Sequence, residues 1–167
     1  YYYFRANSYI IINFFKTPTK SESAVVAPPV VRPEVAAVTP SDGDHIVIYI
    51  TAGKNEQKLC DMLNSFSPQK FLVYGFNKFE VTGNITFKER STEGFVADIA
   101  SSRGVAASAG FSLISECMYL KKKMLLLPLP GQYEQIINAH YVEKLGLGLS
   151  HRTIDKQSMT DFLNEIE

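Results

Sequence analysis

Residues 45–75 read HIVIYITAGKNEQKLCDMLNSFSPQKFLVYG, and their pattern decides the fold. Ile46–Ile50 is an unbroken apolar run of strand length, the signature of a strand buried on both faces. Thr51–Asn55 follows as a small polar loop containing Gly53. Leu59, Met62, Leu63 and Phe66 then recur at i, i+3, i+4, i+7, which predicts an amphipathic helix. Lys70–Tyr74 is a second apolar strand, ended by Gly75. The same alternation continues downstream. Strands are expected at Asn84–Phe87, Val105–Ser108, Met124–Leu127 and Leu147–Leu149. Helices are expected at Phe95–Ser102, from Gly110 to Leu120, at Glu134–Leu145 with Gly146 to stop it, and at Thr160–Glu167. Continuous apolar strands alternating with helices predict an α/β domain: a doubly wound, mainly parallel, Rossmann-like sheet. Such sheets bind ligands outside the carboxyl ends of their strands, here the loops after Ile50, Ser108 and Leu127.

Upstream, residues 1–44 hold five of the eight prolines: Pro18, Pro28, Pro29, Pro33 and Pro40. Tyr9–Phe15 reads as a strand, Thr17–Ser23 as a turn and Ala24–Ala27 as a short strand. Pro28–Gly43 reads as an extended linker, because each proline biases its predecessor away from helix. The aromatic residues Tyr1–Tyr3, Phe14 and Phe15 are expected to pack against something absent from this chain. The chain starts at a tyrosine and shows no signal peptide, so a fragment or processed chain is expected.

At 167 residues the chain has the length of one domain, long enough to bury a core without disulfides or metals. Lys plus Arg and Asp plus Glu each number 17, and that balance argues against a general nucleic-acid or membrane-surface binder. Cys60 and Cys117 lack CxxC spacing, which disfavours a zinc site and a disulfide scaffold. Burial is expected for both, and the cytoplasm is the expected compartment. His45, His140 and His151 have no ligand spacing and read as structural or surface residues. No apolar run reaches membrane-spanning length. Lys121–Lys123 reads as a solvated turn.

Two nucleotide motifs are excluded. Gly53-Lys54 is followed by Asn55 and lacks the earlier glycine of a Walker A loop, and Gly146-Leu147-Gly148 lacks the third glycine of a dinucleotide fingerprint. The informative segment is Ala109–Ala139. At about 100° per residue, Leu113, Ile114, Cys117, Met118 and Leu120 share one helix face, and Ser112, Ser115, Glu116 and Tyr119 the other. Gly110 would let a ligand approach the backbone. The helix that starts there offers free N–H groups and a positive dipole end, suited to a phosphate. Glu116, one turn in, could accept bonds from a diol such as a ribose. In Glu134-Gln135-Ile136-Ile137-Asn138-Ala139, an adjacent acid and amide could bind several hydroxyls. The same residues also suit a strand–turn–helix with a solvated polar face and a helix start matched to its dipole, and the spacing leaves both open.

Taken together, the order Gly–(five residues)–Glu, apolar strand, Pro, loop, acid-Gln-x-x-Asn-Ala resembles the C-terminal half of GT-B glycosyltransferases. The nearest likenesses are the UDP-glycosyltransferases and the bacterial peptidoglycan N-acetylglucosaminyltransferase. The resemblance is clearest over Val105–Gly148 and looser from Ile46. It departs from the plant-type pattern at Ser108, where a histidine is usual, and at Lys121–Lys123, where Gly-x-Pro is usual.

The resemblance implies that Glu116 binds the ribose hydroxyls and that Gly110, Phe111 and Ser112 receive the diphosphate. Glu134 and Gln135 would contact the donor sugar, with Asn138 completing the motif. Thr51 and Gly53 would lie near the diphosphate. Backbone groups around Phe95 and Val96 would meet the base. It further implies residues 1–30 as the tail of a mostly missing N-terminal domain, 31–44 as linker and 45–167 as the nucleotide-sugar domain. The expected activity is transfer of a sugar from a UDP-sugar to an acceptor, inverting and metal-free, with no cofactor beyond the donor. This piece alone is expected to be inactive. Its partners would be the nucleotide-sugar and the missing half, on the same chain or another, with membrane contact only through the acceptor. No residue is identified as the general base. A nucleotide-sugar epimerase, or a non-catalytic donor-binding subunit needing a partner chain, are the alternatives.

Overall fold

The computed structural model describes residues 6–16, 18–19, 22–50, 56–89 and 91–167. In chain order the elements are β1 (Tyr9–Ile12), β2 (Ala24–Ala27), α1 (Pro33–Ala36), β3 (His45–Tyr49), α2 (Glu56–Asn64), β4 (Lys70–Tyr74), β5 (Glu80–Thr82) and β6 (Ile85–Lys88). Then come α3 (Thr92–Ala100), β7 (Gly104–Ala107), α4 (Phe111–Tyr119), β8 (Lys123–Leu126), α5 (Tyr133–Lys144), β9 (Gly148–Ser150) and α6 (Lys156–Glu165).

Seven strands form one sheet in the order β5-β6-β4-β3-β7-β8-β9. Only β5 runs antiparallel to its neighbour. The chain winds outward from β3 in both directions, so the strand order reverses between β3 and β7. That reversal opens a crevice at the strands' carboxyl ends.

Side chains alternate across the sheet with period 2. Val47, Val105, Ala107, Met124 and Leu126 face a core completed by Val96, Ile99, Ile114, Cys117, Ala139 and Val142. Ile46, Ile48, Phe71, Val73, Ala106 and Leu125 face Leu59, Leu63, Met159 and Phe162 on the other side. The doubly wound, mainly parallel sheet is therefore as the apolar runs predict. Gly104 permits the close approach of α6, since a Cβ there would lie 2.7 Å from Phe162 Cζ.

Several expectations are corrected. Pro28–Gly43 is not simply extended, because α1 forms within it. Pro33 stands at the first helical position, which tolerates proline, and its predecessor Arg32 is extended (φ −63°, ψ 146°). Val35 from α1 is buried in the core. The segment is also tied down by Ser41 N–H to Ala100 O (2.8 Å) and Gly43 N–H to Ser101 O (2.9 Å).

Lys121–Lys123 is not a fully solvated turn. The Lys122 side chain is only 2% exposed. Its ammonium donates to Ser41 O and Ser102 O, each at 2.7 Å, and pairs with Asp42 at 3.4 Å. A buried ammonium persists only when its donors are matched in this way.

Phe14 and Phe15 pack within this chain. The Phe14 ring lies 5.7 Å from that of Phe111, and Phe15 stacks on Tyr141. Tyr1–Tyr3 lie outside the described residues. Cys60 and Cys117 are both buried. No described helix is long and apolar enough to cross a membrane.

Candidate functional site

Helix α4 begins directly beyond β7, at the reversal of strand order. Gly110 is its cap residue, and no side chain bonds the first N–H groups. A Cβ on Gly110 would meet nothing within 4 Å, so the space above this turn is open. The turn is held from behind, where Asn138 Nδ2 donates to Ala109 O at 3.1 Å. Gly110 N–H is taken by Ser108 O at 2.9 Å, so Phe111 and Ser112 are the residues that present backbone N–H groups to an accessible surface, the arrangement that attracts an anion.

A cleft lies on each side of this helix start. The first, about 310 Å³, is lined by Tyr49, Tyr74, Phe95, Ser112, Glu116 and Arg32 among others. Tyr49 and Tyr74 end β3 and β4, and Phe95 meets both edge-on at 5.3 and 4.8 Å. This aromatic wall is braced by Asp98, which accepts from Tyr74 Oη and pairs with Lys88 Nζ, each at 2.5 Å. Burial, and then the bond to Asp98, push the Tyr74 hydroxyl well above the ordinary phenol range. Tyr74 therefore stays a neutral donor. Val96 projects into the core, so the cleft meets Phe95.

Glu116 lines this cleft and does not lie on a solvated face, the alternative that the spacing left open. Glu116 and Ser115 are both buried. Arg32 Nε donates to Glu116 Oε1 at 2.6 Å and Nη2 to Oε2 at 3.0 Å. The bond to Glu116 holds the Arg32 guanidinium even more firmly protonated than usual. Ser115 Oγ donates to Phe111 O instead of facing water.

The second cleft, about 430 Å³, is lined by Ile12, Asn13, Phe15, Phe111, Glu134 and Asn138. Glu134 is exposed there at the start of α5. Gln135 is buried instead. Its Oε1 accepts from Leu129 N–H at 3.0 Å and its Nε2 donates to Gln132 Oε1 at 2.8 Å. It braces the loop before α5. The structure thus gathers Gly110, Phe111, Ser112, Glu116 and Glu134 around one helix start, places the buried Asn138 beneath it at the second cleft, and sets Val96 and Gln135 behind the surface. Thr51 and Gly53 lie outside the described residues.

The sequence reading missed Tyr49, Tyr74, Arg32, Asn13 and the cleft role of Phe15. Tyr49 had a usable signal, since it stands at the carboxyl end of the central strand, where ligands sit. Arg32 had none, being 84 positions from its partner.

The family model described as glycosyl transferase family 1 matches residues 3–167. The chain belongs to glycosyl transferase family 1. No curated protein sequence matches this family member. Among solved structures it is similar to the spinosyn forosaminyltransferase SpnP, with 14% identity over 94% of this chain and 46% of that one, and a TM-score of 0.61. The calicheamicin glycosyltransferase CalG4 gives 14% identity over 87% of this chain and 39% of that one, with a TM-score of 0.61. LpCGTa in complex with UDP gives 17% identity, 86% and 39% coverage, and a TM-score of 0.57. The likenesses carry the fold, which is that of the GT-B C-terminal half. The chain spans less than half the length of these structures.

Proposed function

We propose that this chain is the donor-binding half of a glycosyltransferase that moves a sugar from a UDP-sugar to an acceptor. The observation that carries the reading is the placement of two clefts on either side of the open α4 start, with Glu116 in one and Glu134 in the other. A nucleoside diphosphate sugar has the same order: base and ribose, diphosphate, sugar. In this reading the base lies against Phe95 and Tyr49, and the ribose diol donates to Glu116. The diphosphate lies over Gly110 and takes the N–H groups of Phe111 and Ser112, and the sugar meets Glu134 and Asn138. The same N–H groups and helix dipole would stabilise the charge that develops on the departing diphosphate. Gln135 acts by shaping the loop that borders the sugar. We assign the acceptor site and general base to a further domain or a partner chain. On that division residues 1–30 belong with the acceptor half, 31–44 link, and 45–167 hold the donor. We assign the reaction to the cytoplasm on the thiol state of Cys60 and Cys117, both free and buried.

Calorimetric titration with UDP and thymidine diphosphate tests this. Among the similar structures, one is a complex with UDP and another with thymidine diphosphate. Deoxyribose lacks one hydroxyl of the diol, so the wild type should prefer UDP. A hydrogen bond to a charged group contributes roughly 1.5–3 kcal/mol. Glu116→Ala should therefore weaken UDP about 10- to 100-fold and thymidine diphosphate less. Equal losses for the two ligands would reject the diol assignment. Gly110→Ala should fold as well as the wild type, since its φ is −71° and the added Cβ meets nothing. It should nonetheless weaken UDP by about tenfold or more, because the methyl enters the space assigned to the diphosphate. Unchanged affinity in Gly110→Ala would remove the phosphate from this turn.

A further inference from the structure

The Arg32–Glu116 pair is placed where the proposed nucleotide has to go. Pro33 forces Arg32 into extended backbone, and from there its side chain reaches α4. The planar guanidinium takes both carboxylate oxygens at once, at 2.6 and 3.0 Å. The Glu116 side chain is left only 8% exposed. A ribose diol would bond the same two oxygens, which the guanidinium already engages.

The cover is built to come away. The Arg32 side chain is 44% exposed, so water can take up its charge on release. The segment is anchored downstream by buried Val35 and by Ser41 N–H on Ala100 O, and the N–H groups of Val35 and Ala36 close its turn, each 3.1 Å from Arg32 O. Upstream, Val31 is only partly buried against the core and Val30 at the rim of the same cleft is 79% exposed.

We propose that Arg32 is a latch: it occupies Glu116 in the empty protein and must leave before a nucleotide diol can bind, so that donor binding loosens the strap. The inference rests on the donor-site reading above. It gives the segment leading from β2 into the donor domain two arrangements, selected by the nucleotide. Part of the intrinsic donor affinity is spent on opening the latch, because apparent affinity falls with the fraction of open molecules.

The test combines UDP titration with amide hydrogen exchange. Arg32→Ala should bind UDP about three- to tenfold more tightly than the wild type, in keeping with removal of a closed state. In the wild type, saturating UDP should speed exchange at Val35 and Ala36, whose N–H groups are bonded to the Arg32 carbonyl. Glu116→Gln without ligand should speed the same two amides, because a neutral amide cannot hold the guanidinium fork. Unchanged exchange across β3, β7 and β8 identifies variants that remain folded. UDP binding that is unchanged or weaker in Arg32→Ala, or amides at Val35 and Ala36 that slow or stay constant with UDP, would overturn the latch and leave the donor site standing. Failure of UDP to bind both wild type and Arg32→Ala would overturn the donor-site reading and the inference with it. In that case the ligand-free Glu116→Gln measurement still reports whether the ion pair holds the strap.

Discussion

The seven-stranded sheet is covered on both faces, whereas the β1–β2 pair is bare on both. Ile46, Val47 and Ile48 of β3 are fully buried. Tyr9, Ile10, Ile11 and Ile12 of β1 are all exposed, as are Val25 and Val26 of β2. The β1–β2 pair is parallel, the large sheet is parallel except at β5, and both carry strand-forming residues. Parallel strands ordinarily occur with helices on both faces, and two strands alone are marginal in water. The difference teaches that an apolar run specifies a strand, while the covering layer decides whether that strand contributes stability. The β1–β2 pair is instead held by its connecting segment, through Phe14 on Phe111 and Phe15 on Tyr141.

The largest effect should come from cutting the covered side. Phe162 is fully buried and fills the space above Gly104. Phe162→Ala should cost about 3–5 kcal/mol, as large-to-small changes of buried aromatics do. Urea melts followed by circular dichroism would read this. A loss below about 1 kcal/mol would mean that α6 is not integral to the core and would blur the contrast between the regions.

An intermediate effect is expected at the start of α6. Asp155 caps that helix: its carboxylate accepts from Ser158 N–H at 2.9 Å, while Ser158 Oγ accepts from Asp155 N–H at 2.9 Å. The Ser158 backbone bond comes first among the causes that hold the Asp155 carboxyl below the usual carboxylate range. A depressed folded-state pKa gives stability that is fully present above the unfolded value near 3.9 and fades as pH falls through the lower folded value. Asp155→Ala should therefore cost about 1 kcal/mol near neutrality, and the gap between variant and wild type should close in acid. A gap that stays constant down to about pH 2, below the ordinary carboxylate range, would show that the carboxylate is not the capping group.

Much of the covered region was legible in the sequence because its signals are local. Lys70–Tyr74 matches β4 at both ends, since an apolar run stops at a glycine with φ +109°. Strand β5 escaped because its three residues, Glu80–Thr82, carry almost no apolar signal. Its one cue was Gly83-Asn84 between β5 and β6, a two-residue hairpin loop. At the site, the Gly110 turn, Glu116 and Glu134 were visible in motif spacing. The burial of Glu116 was not, because helical periodicity describes one helix and the group that covers this carboxylate arrives from Arg32. Lys122 escaped for the same reason: three lysines in a row look solvated unless one knows that the carbonyls of Ser41 and Ser102 converge there.

The smallest effect should come from the bare side, and it sharpens the comparison most. Ile10 is 74% exposed in the middle of β1. Ile10→Ser in this chain should change stability by no more than about 0.5 kcal/mol, as exposed substitutions generally do. If β1–β2 is an uncovered part of the acceptor half, the same substitution in a longer polypeptide that supplies that half should cost about 2 kcal/mol or more, the scale for a buried isoleucine. Paired urea melts of the two lengths measure the difference directly. A large loss in the short chain would show that β1–β2 already stabilises the donor domain. A small loss in both would show that the acceptor half leaves this face uncovered, and would sever residues 1–30 from it.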